Sequence, residues 1–410
     1  MTDSQRLGVG LLGCGGFGRF VMEAISDLPG VEPRFVTDAD PDRAAATAKA
    51  LGASVVPNLD DLLAKPTLDV VVIATPPVSH GQMARAAANA GKHVFCEKPL
   101  AISAQEAIAV IEAAGRLDVR LTVDYVMRWN PLYWLIRRLQ ALRRPDDRPV
   151  LGHLRRYALE NLAGDSRLDA DHWFWDRPTS GGIFIEHGVH FFDAAAWLLG
   201  QPPVCVVALQ TARTSGEIDA VIASAIHPGG ATATYAHSFT HPDGAEYQTV
   251  LLDWGFAHGT LRGWIPVDLD LDVWTDEDGA SAIVAALDDH KRALAVPGLR
   301  ASGMERIEVE ITPIEASGAP PWRSRGEIRL VACRLRLRAT LGGEEAKAHV
   351  YRECVRAGFS DLVDAIRTRR RPTVSGLEAY ESLATAVAAQ DAADSGYMQD
   401  LQQLHLTGVA

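Results

Sequence analysis

The sequence has few cysteines, a deficit of positive charge and no long apolar run. Its five cysteines are scattered and form no CxxC pair, so we expect reduced core residues and neither a zinc site nor a redox motif. Lys plus Arg number 40 against 52 Asp plus Glu, and the net charge of −12 gives no general attraction to nucleic acid or to an anionic membrane. A membrane-spanning helix needs about 18 consecutive apolar residues, and the N-terminus lacks the pattern of a secretory signal. These absences favour a cytoplasmic protein that binds neither membrane nor nucleic acid.

The first 124 of the 410 residues alternate strand and helix patterns. Apolar runs such as Leu7–Leu12 and Asp69–Ala74 predict buried parallel strands, and stretches such as Pro41–Leu51 between them predict helices. This alternation indicates an α/β fold with a doubly wound parallel sheet of the Rossmann type.

After Tyr125 the pattern changes to successive strands without regular crossover helices. Val150–Asn161 and Glu327–Thr340 are predicted strands, and the turn 227–230 (HPGG) predicts a hairpin. We therefore expect an α+β domain with a large, mostly antiparallel, open sheet. The chain is divided into an N-terminal domain, residues 1–124, and a C-terminal domain, residues 125–410.

A glycine-rich loop follows the first predicted strand and opens the first helix. Such a G-x-G-x-x-G loop allows a tight turn and brings the backbone and a helix N-terminus close to a pyrophosphate. Asp38 follows Gly18 by 38 − 18 = 20 residues, the spacing of the acid that binds the ribose hydroxyls of NAD. The alternative is a structural turn with a surface aspartate. The predicted NAD contacts here are Gly13, Gly15, Gly16, Phe17, Gly18 and Asp38.

Two further elements carry acid–base residues. Lys98 lies in Glu97-Lys98-Pro99 at the carboxyl end of a predicted parallel strand, the edge at which ligands bind. Glu186 and His190 lie four residues apart and, if helical, share a face on which a carboxylate can orient an imidazole. A surface lysine and a buried structural histidine are the alternatives.

The same segment also permits a metal site. Glu186, His187, His190 and Asp193 are possible ligands. However, His187 is expected to project about 100° around the helix from Glu186, away from that face. We therefore predict no metal.

In their order along the chain, these motifs resemble the Gfo/Idh/MocA oxidoreductases, the group of glucose–fructose oxidoreductase and inositol dehydrogenase. The resemblance rests on GCGGFG, Asp38, VVVIATPPVSH, CEKP and GG-x3-E-x-G-x-H-x2-D, and it continues into the C-terminal helices. It implies roles for Lys98 and His190 in proton transfer, and Glu186 stands where the family usually has Asp. It further implies cofactor-side positions at Thr75, Pro76, His80, Glu97, Lys98 and Arg128.

The resemblance also implies an activity. We expect an NAD-dependent dehydrogenase that moves a hydride between a carbinol carbon of a sugar, cyclitol or derivative and the nicotinamide, with Lys98, His190 and Glu186 as catalytic residues. One alternative is a redox-neutral enzyme that retains NAD while cleaving or epimerising a glycoside. A second is a sugar sensor that binds NAD without chemistry. The implied assembly is a homodimer or homotetramer formed through the C-terminal sheet.

The resemblance further implies that the chain is longer than the family pattern, with an insertion around 265–341. Ser281–Ala295 predicts an additional helix. Arg334, Arg336 and Arg338 alternate along a predicted strand and so share one face. That face is either an anion-binding stripe or an ordinary solvated or subunit-facing surface.

Overall fold

The computed structural model describes residues 6–166, 168–169, 171–242, 244–293, 306–314, 321–324 and 327–402. The strands are β1 Leu7–Leu12, β2 Val31–Thr37, β3 Ser54–Val55, β4 Val70–Ile73, β5 His93–Cys96, β6 Leu121–Val123, β7 Arg156–Gly164, β8 Cys205–Ala212, β9 Ile218–Ile226, β10 Thr232–His241, β11 Tyr247–Asp253, β12 Ala257–Arg262, β13 Asp268–Thr275, β14 Arg306–Pro313, β15 Trp322–Ser324, β16 Glu327–Arg329, β17 Cys333–Thr340 and β18 Gln399–Asp400. The helices are α1 Gly16–Ile25, α2 Pro41–Leu51, α3 Leu59–Leu63, α4 His80–Asn89, α5 Ala104–Arg116, α6 Pro131–Gln140, α7 Arg177–Ser180, α8 Val189–Leu199, α9 Glu277–Ala293, α10 Lys347–Thr368 and α11 Gly376–Ser395. None of the helices in the described ranges is long and apolar enough to cross a membrane.

The N-terminal part forms the predicted parallel sheet. Its six strands run in the order β3-β2-β1-β4-β5-β6, and each neighbouring pair is parallel. Every residue of β1 and of β4 is buried, which explains their continuous apolar sequence. Because the chain order reverses between β1 and β4, a crevice opens at the carboxyl ends of these two strands.

The second part is a ten-stranded sheet in the order β14-β17-β13-β12-β11-β7-β10-β9-β8-β18. All its described pairs are antiparallel except β7 and β10, which are parallel. The predicted hairpin is confirmed, since a 3-10 turn at Pro228–Gly230 joins the antiparallel strands β9 and β10. The fold class predicted from the sequence is therefore correct.

Two predicted strands have different bounds in the structure. The strand expected at Val150–Asn161 begins only at Arg156, because Gly152 has a φ of +91° and interrupts the extended backbone. The strand expected at Glu327–Thr340 is two strands in different sheets, β16 and β17. The break follows Arg329, whose buried guanidinium donates to the carbonyl oxygens of Pro149 and Val150 at 3.0 and 2.7 Å.

The predicted insertion contains a helix and an arginine-bearing strand, as expected. The helix is α9, and the predicted end at Ala295 lies outside the described residues. On β17, Arg334 and Arg336 form ion pairs with Asp272 of β13, and Arg338 pairs with Asp270. Because these arginines are engaged in ion pairs across the sheet, the structure favours an ordinary solvated surface over an anion-binding stripe.

Helices α10 and α11 return to the N-terminal sheet. Thr122 of β6 donates to the carbonyl oxygen of Val374 at 2.6 Å, and Phe95 of β5 packs against Phe359 of α10 with ring centroids 5.3 Å apart. Arg356 of α10 donates to the carbonyl oxygen of Ala24 at 2.5 Å. Helix α11 also contacts β8 of the ten-stranded sheet. The two helices therefore pack against both sheets, and the division at residue 124 remains a prediction.

Candidate active site

A cavity of about 910 Å³ lies at the carboxyl edge of the parallel sheet, within the size range of small-molecule sites. At one end it is lined by the glycine loop and by residues that follow β2. At the other end it is lined by residues that follow β5, by the segment before α8, and by aromatic side chains from elsewhere in the C-terminal part. The cavity therefore brings together the two groups of residues that the sequence singled out.

The glycine loop has two kinds of glycine. Gly13 has a φ of +98°, and a Cβ there would lie 2.5 Å from the carbonyl oxygen of Ala74. A Cβ at Gly18 would lie 2.0 Å from the carbonyl oxygen of Gly13, so these two glycines are needed for packing. A Cβ at Gly15 or Gly16 would meet nothing within 4 Å. Gly13, Gly15, Gly16 and Phe17 line the cavity, whereas the predicted contact Gly18 is not among the lining residues.

Asp38 lies at the end of β2 and lines the same part of the cavity. Its carboxylate accepts hydrogen bonds from the backbone N–H groups of Cys14, at 2.6 Å, and Asp40, at 2.8 Å. Arg43, which the sequence analysis did not consider, also lines this end and is ion-paired with Asp40 at 2.9 Å. A carboxylate has about four acceptor sites, so Asp38 retains capacity for a ligand.

Thr75, Pro76 and His80 follow β4 and line the cavity, as expected for cofactor-side positions. The two ring nitrogens of the buried His80 lie 2.7 Å from the carbonyl oxygens of Thr75 and Pro99. Burial lowers the pKa of His80, and a neutral ring donates to one of these carbonyls at a time. His80 thus ties the loop after β4 to the turn that carries Lys98.

Lys98 and Glu186 form the central contact of the other end. The Nζ atom of Lys98 donates to the Oε1 atom of Glu186 at 2.5 Å and to the backbone oxygen of Glu186 at 2.8 Å. Both side chains are largely buried, with 15% and 12% exposed. An ammonium group has three donors, so one N–H of Lys98 remains for a ligand.

The segment that carries Glu186 differs from the expected α-helix. Phe184–Gly188 is a π-helix, and α8 begins at Val189. The predicted pairing of Glu186 with His190 is wrong, because the carboxylate contacts Lys98 and the Nδ1 atom of His190 has no hydrogen-bond partner among the described residues. The predicted orientation of His187 is also wrong: His187 lines the cavity together with Glu186 and His190. A π-helical turn changes the angle between successive side chains, which the sequence pattern does not reveal.

The two histidines are uncharged at neutral pH. Burial, followed by the positive charge of Lys98, lowers the pKa of His190 well below its usual value and that of His187 to about 3. The ring of His190 packs against Trp264, with centroids 5.4 Å apart. A neutral imidazole in this position can accept a proton.

Asp193 and Arg128 lie outside the cavity lining and bind each other. The Nε and Nη2 atoms of Arg128 donate to the two carboxylate oxygens of Asp193, both at 2.7 Å. The structure therefore does not bring Arg128 to the predicted cofactor position, and Asp193 is not available as a metal ligand. No group of three or more His, Cys, Asp or Glu side chains among the described residues could hold a metal ion.

Three aromatic residues complete the cavity, and sequence reasoning did not assign them. Trp264 lies between β12 and β13, Trp173 precedes α7, and Tyr351 is in α10. The ring centroid of Trp264 lies 5.4 Å from that of Tyr351. In the sequence, Trp173 lies shortly before the motif GG-x3-E-x-G-x-H-x2-D, and no quoted motif lies near Trp264 or Tyr351.

The residues present fit a dinucleotide. Gly15 and Gly16 leave open space above the loop, the N-terminus of α1 begins there, and Asp38 lies where a ribose would be held. Lys98 and His190 are placed at the other end of the cavity.

Comparisons with known proteins agree with this organisation. The model of the Gfo/Idh/MocA oxidoreductase family with an NAD-binding Rossmann fold matches residues 7–125, and the model of the Gfo/Idh/MocA C-terminal domain matches residues 147–255. D-apiose dehydrogenase of Paraburkholderia graminis is 30% identical over 292 residues, which cover 70% of this chain and 74% of that protein. Inositol 2-dehydrogenase of Rhizobium meliloti strain 1021 is 32% identical over 199 residues, which cover 48% of this chain and 57% of the relative.

A solved structure shares the fold over nearly the whole chain. GenD2 from gentamicin A biosynthesis, determined in complex with NAD, aligns with a TM-score of 0.71 and 23% identity over 98% of this chain and 97% of GenD2. Together with the two matching family models, these relations show that the chain belongs to the Gfo/Idh/MocA family of oxidoreductases and has an NAD-binding Rossmann fold in its N-terminal part.

Proposed function

We propose that this protein is an NAD-dependent dehydrogenase that oxidises a carbinol carbon of a sugar, a cyclitol or a related derivative, or catalyses the reverse reduction. The observation that carries the proposal is the convergence of Lys98, Glu186 and His190 at one end of a cavity whose other end is the glycine loop and Asp38. When bound, NAD would accept the hydride from the carbinol carbon.

The side chains supply the proton transfer and the orientation. His190 accepts the hydroxyl proton during oxidation, because burial keeps its ring neutral. Lys98 is held by two contacts with Glu186 and directs its remaining N–H toward the substrate oxygen. Glu186 is a positioning residue that holds the ammonium group and balances its charge.

The preference for NAD over NADP rests on Asp38. A carboxylate next to the adenosine ribose repels a 2′-phosphate and accepts hydrogen bonds from ribose hydroxyls. Among the residues that line the Asp38 end of the cavity, Arg43 is the cation nearest to Asp38 in sequence, and it forms an ion pair with Asp40. We therefore expect a Michaelis constant for NADP well above that for NAD, and expect Asp38→Ala to narrow the difference.

The substrate class is supported by the cavity wall and by the relatives. Aromatic rings such as Trp264 and Trp173 give a flat apolar wall for the C–H face of a sugar ring, and the histidines and Lys98 give polar groups for its hydroxyls. The two relatives named above are dehydrogenases of inositol and D-apiose.

The test is an NAD-reduction screen over free, amino, phosphorylated and nucleotide-linked sugars and cyclitols. Once a substrate is found, Lys98→Ala and His190→Ala should each lower kcat by at least about 100-fold, the usual contribution of a proton-transfer group, with unchanged affinity for NAD. Unchanged turnover in either variant contradicts the assignment. Turnover without net NAD reduction, on an enzyme that retains NAD through gel filtration, would favour the redox-neutral alternative.

We further propose that the exposed face of the ten-stranded sheet joins copies of the chain. Val207 and Leu209 of β8 and Ile222 and Ile226 of β9 form an apolar patch on this face, and Leu209 is 71% exposed. Exposed apolar patches of this kind are typical of interfaces. Light scattering of the purified protein measures the resulting assembly.

A further inference from the structure

Two carboxyl groups lie side by side next to the catalytic lysine. Glu97 follows β5 and Asp124 follows β6. These parallel strands pair Cys96 with Val123 at their last position, so Glu97 and Asp124 are the next residues in register. The backbone N–H of Asp124 donates to the carbonyl oxygen of Cys96 at 2.9 Å, which extends the pairing to the two acids.

The pair is buried, and most of its carboxylate oxygens have no hydrogen-bond donor among the described residues. Glu97 and Asp124 are 7% and 2% exposed. In the part of the chain that the structure describes, neither carboxylate oxygen of Asp124 nor the Oε1 atom of Glu97 has a hydrogen-bond donor, and the backbone N–H of Lys98 donates to the Glu97 carboxylate. Two adjacent buried carboxylates cannot both carry a charge at low cost, and sharing one proton supplies the missing donor.

The residues around the pair shield it from water but do not balance its negative charge. Tyr351 and Cys354 of α10 face it, and the nearby Cys96 and Glu186 add no positive charge. Lys98 is the cation that acts on both carboxyl groups, and it is already ion-paired with Glu186. Burial raises the pKa of Asp124 to about 7 and that of Glu97 well above its usual value.

Glu97 also lines the cavity beside Lys98. A unit charge a few ångströms from a ligand acts strongly through protein, where screening is weaker than in water. We propose that Glu97 and Asp124 share one proton and that the loss of this proton strengthens binding of the positively charged oxidised nicotinamide relative to the reduced form. Because linkage is reciprocal, binding of NAD⁺ then expels the shared proton to solvent. The proposal rests on the proposed function for its ligand, and the proton-sharing part stands without it.

The test measures nucleotide binding and protons, not turnover. Titration calorimetry of NAD⁺ and of NADH, in buffers of different ionisation enthalpy, counts protons released per site. For the wild type at pH 7 we expect release of a fraction of a proton with NAD⁺ and none with NADH. The ratio of the dissociation constants, NADH over NAD⁺, should rise about tenfold between pH 6 and pH 8.

The variants separate the pair from other acids. Glu97→Gln with Asp124→Asn should abolish the proton release and the pH dependence of the ratio, and Glu112→Gln, an exposed acid on α5, should retain both. Each single variant should move the pH of maximal release, which keeps the test decisive if the double variant does not fold. A wild-type protein that binds both nucleotides with a ratio independent of pH and without proton release overturns the proposal.

An infrared measurement without nucleotide tests the shared proton directly. The wild type should show the carbonyl stretch of a protonated carboxylic acid at pH 7, and the double variant should lose it. Absence of this band in the wild type overturns proton sharing. Failure to bind NAD⁺ overturns the proposed function and the linkage to nicotinamide, while the band still reports on the pair.

Discussion

The ion pair between Lys98 and Glu186 is expected to stabilise the folded protein as well as to orient the lysine. We consider Lys98→Met, Glu186→Gln and the double variant. The Nζ and Oε1 atoms are 2.5 Å apart, and both side chains are at least 85% buried. Removal of one partner of a buried pair costs about 3–5 kcal/mol, because it leaves a buried charge uncompensated. Since a sixth or less of each side chain remains in water, we expect about 2–3 kcal/mol for each single change.

The double variant should lose less than the sum of the single changes. It leaves no unpaired charge, so we expect a coupling energy of about 1.5–3 kcal/mol, the range of residues in direct contact. Urea denaturation of the nucleotide-free protein, analysed at constant m, measures the four free energies of unfolding. The matched control is Arg19 and Glu23, an exposed pair four residues apart on α1, for which about 0.3–0.5 kcal/mol is expected. A Lys98–Glu186 coupling no larger than this control would refute the reasoning.

The remaining predictions concern the glycine loop, acid stability and the sheet face. Gly18→Ala should lower the midpoint of thermal unfolding by several degrees, because the added Cβ would lie 2.0 Å from a carbonyl oxygen. Gly15→Ala should leave this midpoint unchanged and weaken NAD binding, measured by calorimetry, at least about tenfold. Equal effects of the two variants on the unfolding midpoint would contradict this. Burial lowers the pKa of His237 well below its usual value of about 6.5, so the neutral buried ring contributes its full stabilisation above pH 6.5 and this contribution is lost as the pH falls. His237→Phe should therefore reduce the loss of unfolding free energy by up to about 1.4 kcal/mol per pH unit below 6.5. If the unfolding free energy of the variant depends on pH as steeply as that of the wild type, this prediction is wrong. Leu209→Glu should reduce the mass of the assembly measured by light scattering. The control Val309→Glu changes an exposed residue of β14, at the other end of the sheet, and should leave this mass unchanged. An unchanged mass for Leu209→Glu would exclude the proposed patch as the interface.

Local sequence features predicted the parts of the fold that depend on neighbouring residues. The fully buried run at Val70–Ile73 could be assigned to a parallel strand because both of its faces must be apolar. The helix at Pro41–Leu51 was predicted with its observed bounds from its alanine-rich composition. Proline at its first position and glycine after its end mark the two termini in the structure. The glycine loop and Asp38 could be placed together for the same reason, since their spacing is set within one strand–helix–strand unit.

Contacts between distant segments were not predictable in the same way. The π-helical turn at Phe184–Gly188 brings His187 into the cavity. The sequence of this turn is equally compatible with an α-helix, so the π-helix could not be predicted. Arg128 was assigned by motif to the cofactor, but the buried carboxylate of Asp193 binds it instead. Asp124 becomes a neighbour of Glu97 only when β6 joins the sheet, so neither residue suggests the other in the sequence.

Because α10 packs against the parallel sheet, the cavity is lined by residues from an early and from a late segment of the chain. Tyr351 forms part of its wall and packs on Phe17 of the glycine loop, with ring centroids 5.8 Å apart. During synthesis the glycine loop therefore emerges long before the residue that covers it, and the nucleotide site is complete only after most of the chain has been made. A truncation before Lys347 would thus remove part of the nucleotide site, although every residue of its phosphate-binding motif would still be present.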